Sequence, residues 1–144
     1  ITIQGLPDKP GIAASIFGEL AENHINVDMI VQSAASEGQQ ADITFSLGRG
    51  DLDKALGLIG GAREKLGFRA IDSDAAVTKI SVVGTAMRSQ PGVARAMFET
   101  LAERGINIEV ISTSEIKISV LIASEYTELA VRSLHTAFGL DSED

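Results

Sequence analysis

The chain has 144 residues, with twelve Lys and Arg against twenty Asp and Glu for a net charge of −8, 44% hydrophobic and 22% charged residues, and no cysteine. Those figures describe a globular chain, exclude a disulfide scaffold and a thiolate metal site and, with no basic stripe to displace counterions, argue against a nucleic-acid partner. No apolar run approaches the ~18 residues of a membrane span and no signal peptide opens the chain, so no membrane partner and a cytoplasmic setting are expected.

Ile1 to Leu6 reads as a strand, and Pro7-Asp8-Lys9-Pro10-Gly11 as the turn into a helix, with proline preset for the first helical turn and Asp8 placed to cap it. The helix runs to about Asn23: Ile12, Ile16 and Leu20, flanked by Ala13, Phe17 and Ala21, recur at the three- and four-residue spacing that makes one apolar face. Asn23-His24 ends it. Ile25 to Gln32 alternates as a strand, placing Ile25, Val27, Met29 and Val31 on one face and Asn26, Asp28 and Gln32 on the other. Ser33 to Gln40 reads as a hairpin loop, Ile43, Phe45 and Leu47 as the next strand, Asp51 to about Leu66 as a second helix that Gly60-Gly61 loosens or ends, and Phe68 to Ile71 as a fourth strand.

The chain then repeats itself. Pro10 to Ile30 returns as Pro91 to Ile111 at a constant offset of 81 residues, with Pro, Gly, Ala, Phe, Leu and Asn at matched places. Past the hairpin the offset falls to 75, Ile43 matching Ile118, so the first loop is six residues longer. The second unit reads as strand Lys79 to Val83, helix Pro91 to Arg104, strand Ile106 to Ser112, strand Lys117 to Ala123 and helix Glu125 to Phe138, its last strand missing or supplied from elsewhere. Extended to its start, the offset of 81 sets Lys79, Ile80 and Ser81 against residues that are absent, and the first residue is Ile, so a piece of a longer chain is expected. The fold class is α+β, with two ferredoxin-like βαββαβ units, 1–76 and 77–144, whose antiparallel sheets carry both helices on one face. Units this small are expected to pair across a dimer into extended sheets that protect their edges.

No catalytic constellation stands out: there is no P-loop, His24 and His135 lie in different units without a second ligand, Asp72 and Asp74 sit in a connector, and Asp51 and Asp53 are first-turn helix residues. The repeated feature is the strand-to-helix turn ending in Pro10-Gly11 and Pro91-Gly92. A helix N-terminus offers unpaired N–H groups and positive dipole to a carboxylate, and Asn26 or Asn107 at the next strand carries both donor and acceptor for a zwitterion. An amino acid fits that chemistry. A plain helix start and turn fit the same residues, and duplication repeats structure as readily as function.

The runs Pro-Asp-Lys-Pro-Gly-Ile-Ala, Ile25-Asn26-Val27-Asp28-Met29-Ile30, Asp42-Ile43-Thr44-Phe45, Met87-Arg88-Ser89-Gln90-Pro91-Gly92-Val93 and above all Ser112-Thr113-Ser114-Glu115-Ile116-Lys117-Ile118-Ser119 carry a resemblance over nearly the whole chain. It resembles a pair of ACT domains, and more narrowly the regulatory region of aspartate kinase. The resemblance implies a feedback sensor for an enzyme that phosphorylates aspartate from ATP, with the catalytic domain or subunit, and its ATP and Mg, elsewhere. No cofactor or metal is expected in this stretch. It implies a homodimer through ACT units, with threonine and/or lysine bound where they pair. Carried over, Asp8, Gly11, Ile12, Ala13, Asn26 and Gln32 line one pocket, and Ser89, Val93, Ala94, Asn107, Ile108, Ser114 and Glu115 the facing surface or a second pocket. Ser89 replaces Asp8 and Thr113 replaces Gln32 in the second copy, so unequal effector binding is expected. The alternatives are a non-binding dimerisation module of the kinase, an ACT sensor of another amino-acid-metabolism enzyme and, least supported by a chain with one tyrosine, a ferredoxin-like RNA binder.

Overall fold

Apolar residues at helical spacing need a sheet face to cover them, and each half of the chain supplies one. The computed structural model describes residues 1–34, 40–84, 92–114 and 116–139, and the chain falls into two compact units, Ile1–Ala75 and Ala76–Asp144. The first contains β1 (Thr2–Pro7), α1 (Ile12–Glu22), β2 (Val27–Ala34), β3 (Gln40–Leu47), a 3-10 turn (Arg49–Asp51), α2 (Leu52–Gly61), α3 (Arg63–Leu66) and β4 (Ala70–Asp72). Its sheet order is β2-β3-β1-β4 with every pair antiparallel, the expected ferredoxin-like arrangement. Ile12, Ile16 and Leu20 of α1 and Ala55 and Ile59 of α2 share one core with Ile3, Ile43 and Phe45, which puts both helices on one sheet face. Phe17 stands edge-to-face on Phe45, centroids 5.4 Å apart.

The second unit contains β5 (Val77–Val83), α4 (Gly92–Glu103), β6 (Val110–Thr113), β7 (Lys117–Ala123), a 3-10 turn (Ser124–Tyr126) and α5 (Thr127–Ala137). Among the described residues its sheet has three strands, in the order β5-β7-β6. Met97, Leu101, Ile118, Val120, Ala130 and Leu134 rebuild the first core position by position. The expected fold class thus holds in both units.

Several local expectations give way to backbone geometry. The uniform alternation of Ile25 to Gln32 is broken by a bulge between Val27 and Ile30. Val27 pairs with Leu47, but beyond the bulge Ile30 pairs with the core residue Phe45 and Gln32 with Ile43, while Val31 falls opposite Thr44. Directly opposed residues share a face, so Ile30 and Gln32 lie on the helix side and Val31 does not. Asp8 does not cap α1: the N-cap is Gly11, at φ 89°, with no side-chain hydrogen bond. The helix expected from Asp51 to Leu66 divides at Ala62, just past the Gly60-Gly61 pair, into α2 and α3. The fourth strand starts at Ala70, with Phe68 buried ahead of it.

A second bulge lies in β1. Thr2 and Ile3 pair with Thr44 and Ile43, but Leu6 pairs with Ala41, whereas β5 pairs without interruption from Val77↔Ala123 to Val83↔Lys117. Because Thr44 matches Ser119, Thr2 stands where Ser81 stands. The two hydroxyl pairs confirm it, Thr2 with Thr44 at 3.0 Å and Ser81 with Ser119 at 2.7 Å. Ile80 and Ser81 therefore do have counterparts, Ile1 and Thr2, and the offset grows from 79 in the strand to 81 in the helix because the second strand-to-helix connection is two residues longer.

Candidate functional site

The turn before α1 is folded by short-range bonds from Lys9 N–H to the Pro7 carbonyl at 3.1 Å and from Ile12 N–H to the Lys9 carbonyl at 3.4 Å. Gly11 then takes the left-handed conformation that a side chain would strain, although a Cβ there would meet nothing within 4 Å. The first bond of the helical ladder runs from Ser15 N–H to the Gly11 carbonyl, 3.0 Å. The N–H groups of Ala13 and Ala14 precede it and point out of an uncapped, positive helix end. Ile12 is 8% exposed and belongs to the core, so it can offer a ligand only its backbone.

Strand register brings Gln32 to this end of the sheet. A row on the helix side runs Ile71–Ile3–Ile43–Gln32 across four strands, with Gln32 the polar terminus at the edge. Pro7 pairs with Gln40 three residues further along β3, about 10 Å on, so Asp8, Gly11 and Ala13 lie past that end of the sheet and Gln32 lies in the half of β2 nearer to it, with Asp8, Gly11 and Gln32 exposed. Asn26 does not join them. It is exposed ahead of Val27, whose partner Leu47 ends β3, at the far end of the sheet. The eleven residues of α1 separate the two ends by about 16 Å.

The second unit repeats this division. Val93 and Ala94, in the first turn of α4, pack partly on the core, and Ser114 is exposed just past β6 with its N–H on the Lys117 carbonyl at 2.7 Å. The row Val82–Ile118–Thr113 puts Thr113 where the first unit has Gln32. Asn107 and Ile108 lie at the opposite end, ahead of β6, with Asn107 exposed and Ile108 on the core. Ser89 and Glu115 lie outside the described residues, as does the second turn.

Both edge strands next to these sites carry a half-exposed isoleucine on the helix side: Ile30, 49% exposed, opposite Phe45, and Ile111, 46% exposed, opposite Val120. Among the described residues no three His, Asp or Glu converge as a metal site, and no helix is long and apolar enough to cross a membrane. One feature that the residue patterns missed is Asp42, whose Oδ1 accepts the Gly5 N–H at 3.0 Å beside the β1 bulge. A glycine inside a strand pattern is the signal that could have found it.

Comparison with known proteins agrees with this architecture. Residues 1–62 and 80–138 each match a family model described as an ACT domain. The aspartate kinase of Pseudomonas putida is 47% identical over 142 residues, covering 99% of this chain and 34% of that protein. This chain thus spans about a third of the length of such curated relatives. A crystal structure of aspartokinase alpha and beta subunits superposes with a TM-score of 0.86 at 48% identity, covering 96% of this chain and 90% of that one. The ligand-free regulatory subunit of aspartate kinase from Thermus thermophilus superposes with a TM-score of 0.85 at 39% identity, covering 95% and 89%. With ACT units in both halves and regulatory subunits matched nearly end to end, this chain belongs to the tandem-ACT regulatory regions of the aspartate kinases.

Proposed function

We propose that this chain senses an amino-acid end product, threonine and/or lysine, where ACT units of two chains pair, and thereby restrains aspartate phosphorylation by a catalytic domain or subunit elsewhere in the assembly. The observation that carries the reading is the separation of the two halves of the site. Gly11 and Gln32 stand at one end of β2 and Asn26 at the other, so one unit alone cannot close around a small zwitterion.

A two-fold pairing of identical edge strands about an axis normal to the sheet, which continues the sheet with its helices on the same face, is antiparallel and sets the start of one β2 beside the end of the other. Asn26 of one chain then approaches the Gly11 turn of its partner. Ile30 supplies apolar surface along that seam. The effector carboxylate accepts from the N–H groups of Ala13 and Ala14, its ammonium is held by Asn26 and backbone carbonyls, and Asp8 or Gln32 meets the side chain. Burying both charges is favourable only when each is paired, which an interface achieves and an open turn does not. The effector then shifts the enzyme toward its inhibited arrangement by its differential affinity for the two states, typically about 1–3 kcal/mol of coupling.

Thermal melts with threonine, lysine, methionine and isoleucine, and with threonine and lysine together, test this reading. A ligand at a hundred times its Kd stabilises by about 2.7 kcal/mol, which moves the midpoint of a chain this size by several degrees. A rise with threonine or lysine is expected; a folded dimer whose midpoint no amino acid moves would leave a dimerisation module instead.

A further inference from the structure

We infer that Asp42 is a positioning residue for the effector turn of the first unit. This rests on the effector-binding reading above. Gly5 sits at φ 72°, and a Cβ there would come within 2.8 Å of the Arg69 Cβ, so the backbone occupies a conformation and a space that only glycine allows. Two bonds hold it: the Gly5 N–H donates to Asp42 Oδ1 at 3.0 Å, and the Arg69 N–H donates to the adjacent Gln4 carbonyl at 2.8 Å.

The bulge they brace is what moves β1 out of register between Ile3 and Leu6, and it sets the register in which Leu6 and Pro7 meet Ala41 and Gln40 before β1 ends and the turn to Gly11 opens. A strand-end bulge re-aims the chain that leaves it. Losing the carboxylate leaves the Gly5 N–H without its acceptor and loosens the bulge that sets where Leu6 and Pro7 meet Ala41 and Gln40, so the N–H groups of α1 meet the ligand at a less fixed place.

The second unit lacks the device. Its residue at the Asp42 position is Lys117, β5 pairs without a bulge, and Gly84, which follows Gly5 by the strand's offset of 79, donates its N–H to the Ile116 carbonyl at 2.8 Å, the place that Leu6 takes opposite Ala41 in the first unit. Asp42 is half-buried on β3 and pairs with Ser33 on the helix-free side, so it acts on the turn through Gly5 rather than by touching a ligand on the helix side.

The test is calorimetric titration of threonine and of lysine into the wild-type chain and into Asp42→Ala and Asp42→Asn, each first shown to be folded by circular dichroism. Asp42→Ala is expected to bind about tenfold more weakly, the usual loss when a charge-assisted bond is removed, and Asp42→Asn, which keeps an Oδ1 acceptor, to recover most of it. If Asp42→Ala does not fold, Asp42→Ser, polar but too short to reach Gly5, takes its place. A lower melting midpoint with wild-type Kd overturns the proposal, because a merely structural residue would behave so. Equally weak binding by Asp42→Asn and Asp42→Ala also overturns it, since the charge itself would then be the ligand contact. A wild-type chain that binds neither amino acid removes the effector reading itself, a different failure from a wild-type chain that binds and a variant that binds as well.

Discussion

The two units share a core and differ at their margins. Leu20 and Leu101, Ile43 and Ile118, Phe45 and Val120, Ala55 and Ala130, and Ile59 and Leu134 occupy matched buried places. Around them the first unit adds a fourth strand and a bulge in β1, whereas the second keeps β5 in regular register and, among the described residues, three strands. The two interiors thus pack alike, and the copies differ at the strand ends, where a ligand would be met. The contrast predicts that removing a core residue harms either copy alike, while changes at strand ends distinguish them.

The largest effect expected is from Phe45→Ala, which deletes a fully buried ring and its edge-to-face contact with Phe17 and should cost about 3–5 kcal/mol. Urea unfolding can follow it with two probes, because the chain has one tyrosine, Tyr126, which packs on the second core. If the circular-dichroism transition moves and the Tyr126 fluorescence transition stays, the two cores are separately cooperative. If both move together, the units unfold as one. A loss below about 1 kcal/mol would contradict the packing described for Phe45.

Next in size is the asparagine pair. Asn26→Ala is expected to weaken effector binding about ten- to hundredfold while leaving the dimer intact, since Asn26 is exposed in the unit. Asn107→Ala, its match in the second unit, is the control. An effect confined to Asn26 assigns the working site to the first unit; equal losses would mean that the differences between Asp8 and Ser89 and between Gln32 and Thr113 leave the two pockets equivalent. Retained affinity in Asn26→Ala would sink the assignment of that residue, and sedimentation would show whether the dimer survived.

Much of this was legible in the residues. The repeat at Pro10 and Pro91, the helical spacing of Ile12, Ile16 and Leu20, and the order of strands and helices follow from periodicity and turn chemistry, and the strands and helices of the structure lie within a few residues of the places read for them. The bulges were not legible, because alternation is read as though every residue advanced one step of the ladder. One extra residue before Ile30 reverses the faces of all that follow, and it carries Gln32 from the side opposite Val27 onto the same row as Ile43. Nor does spacing reveal that Asn26 and Gly11 are a helix length apart. That follows only from β1 and β2 running parallel with α1 returning between them, a property of topology rather than of any short motif.

The smallest effect separates the copies at a helix end. Both first helices close with the same pair of bonds: His24 N–H to the Ala21 carbonyl and Ile25 N–H to the Leu20 carbonyl, matched by Gly105 to Ala102 and Ile106 to Leu101. This closure requires a left-handed residue, and the first unit uses His24 at φ 61° where the second uses Gly105 at φ 70°. A residue with a Cβ is strained there by about 1–2 kcal/mol, and glycine returns part of that gain through the greater freedom of its unfolded chain, about 0.5–1 kcal/mol. His24→Gly should therefore stabilise the first unit by about 0.5–1 kcal/mol, read as a rise in the urea midpoint at unchanged slope. Gly105→Ala should lower the second by a similar amount, visible in Tyr126 fluorescence. Because His24 lies two residues before Asn26, at the end of the unit that the proposed interface would use, the pair of variants also separates fold from function. A His24→Gly chain that gains stability and keeps its threonine or lysine affinity marks His24 as a strained cap. One that gains stability and loses affinity makes the imidazole part of the paired site, which the exposed position of His24 permits and its backbone alone does not explain.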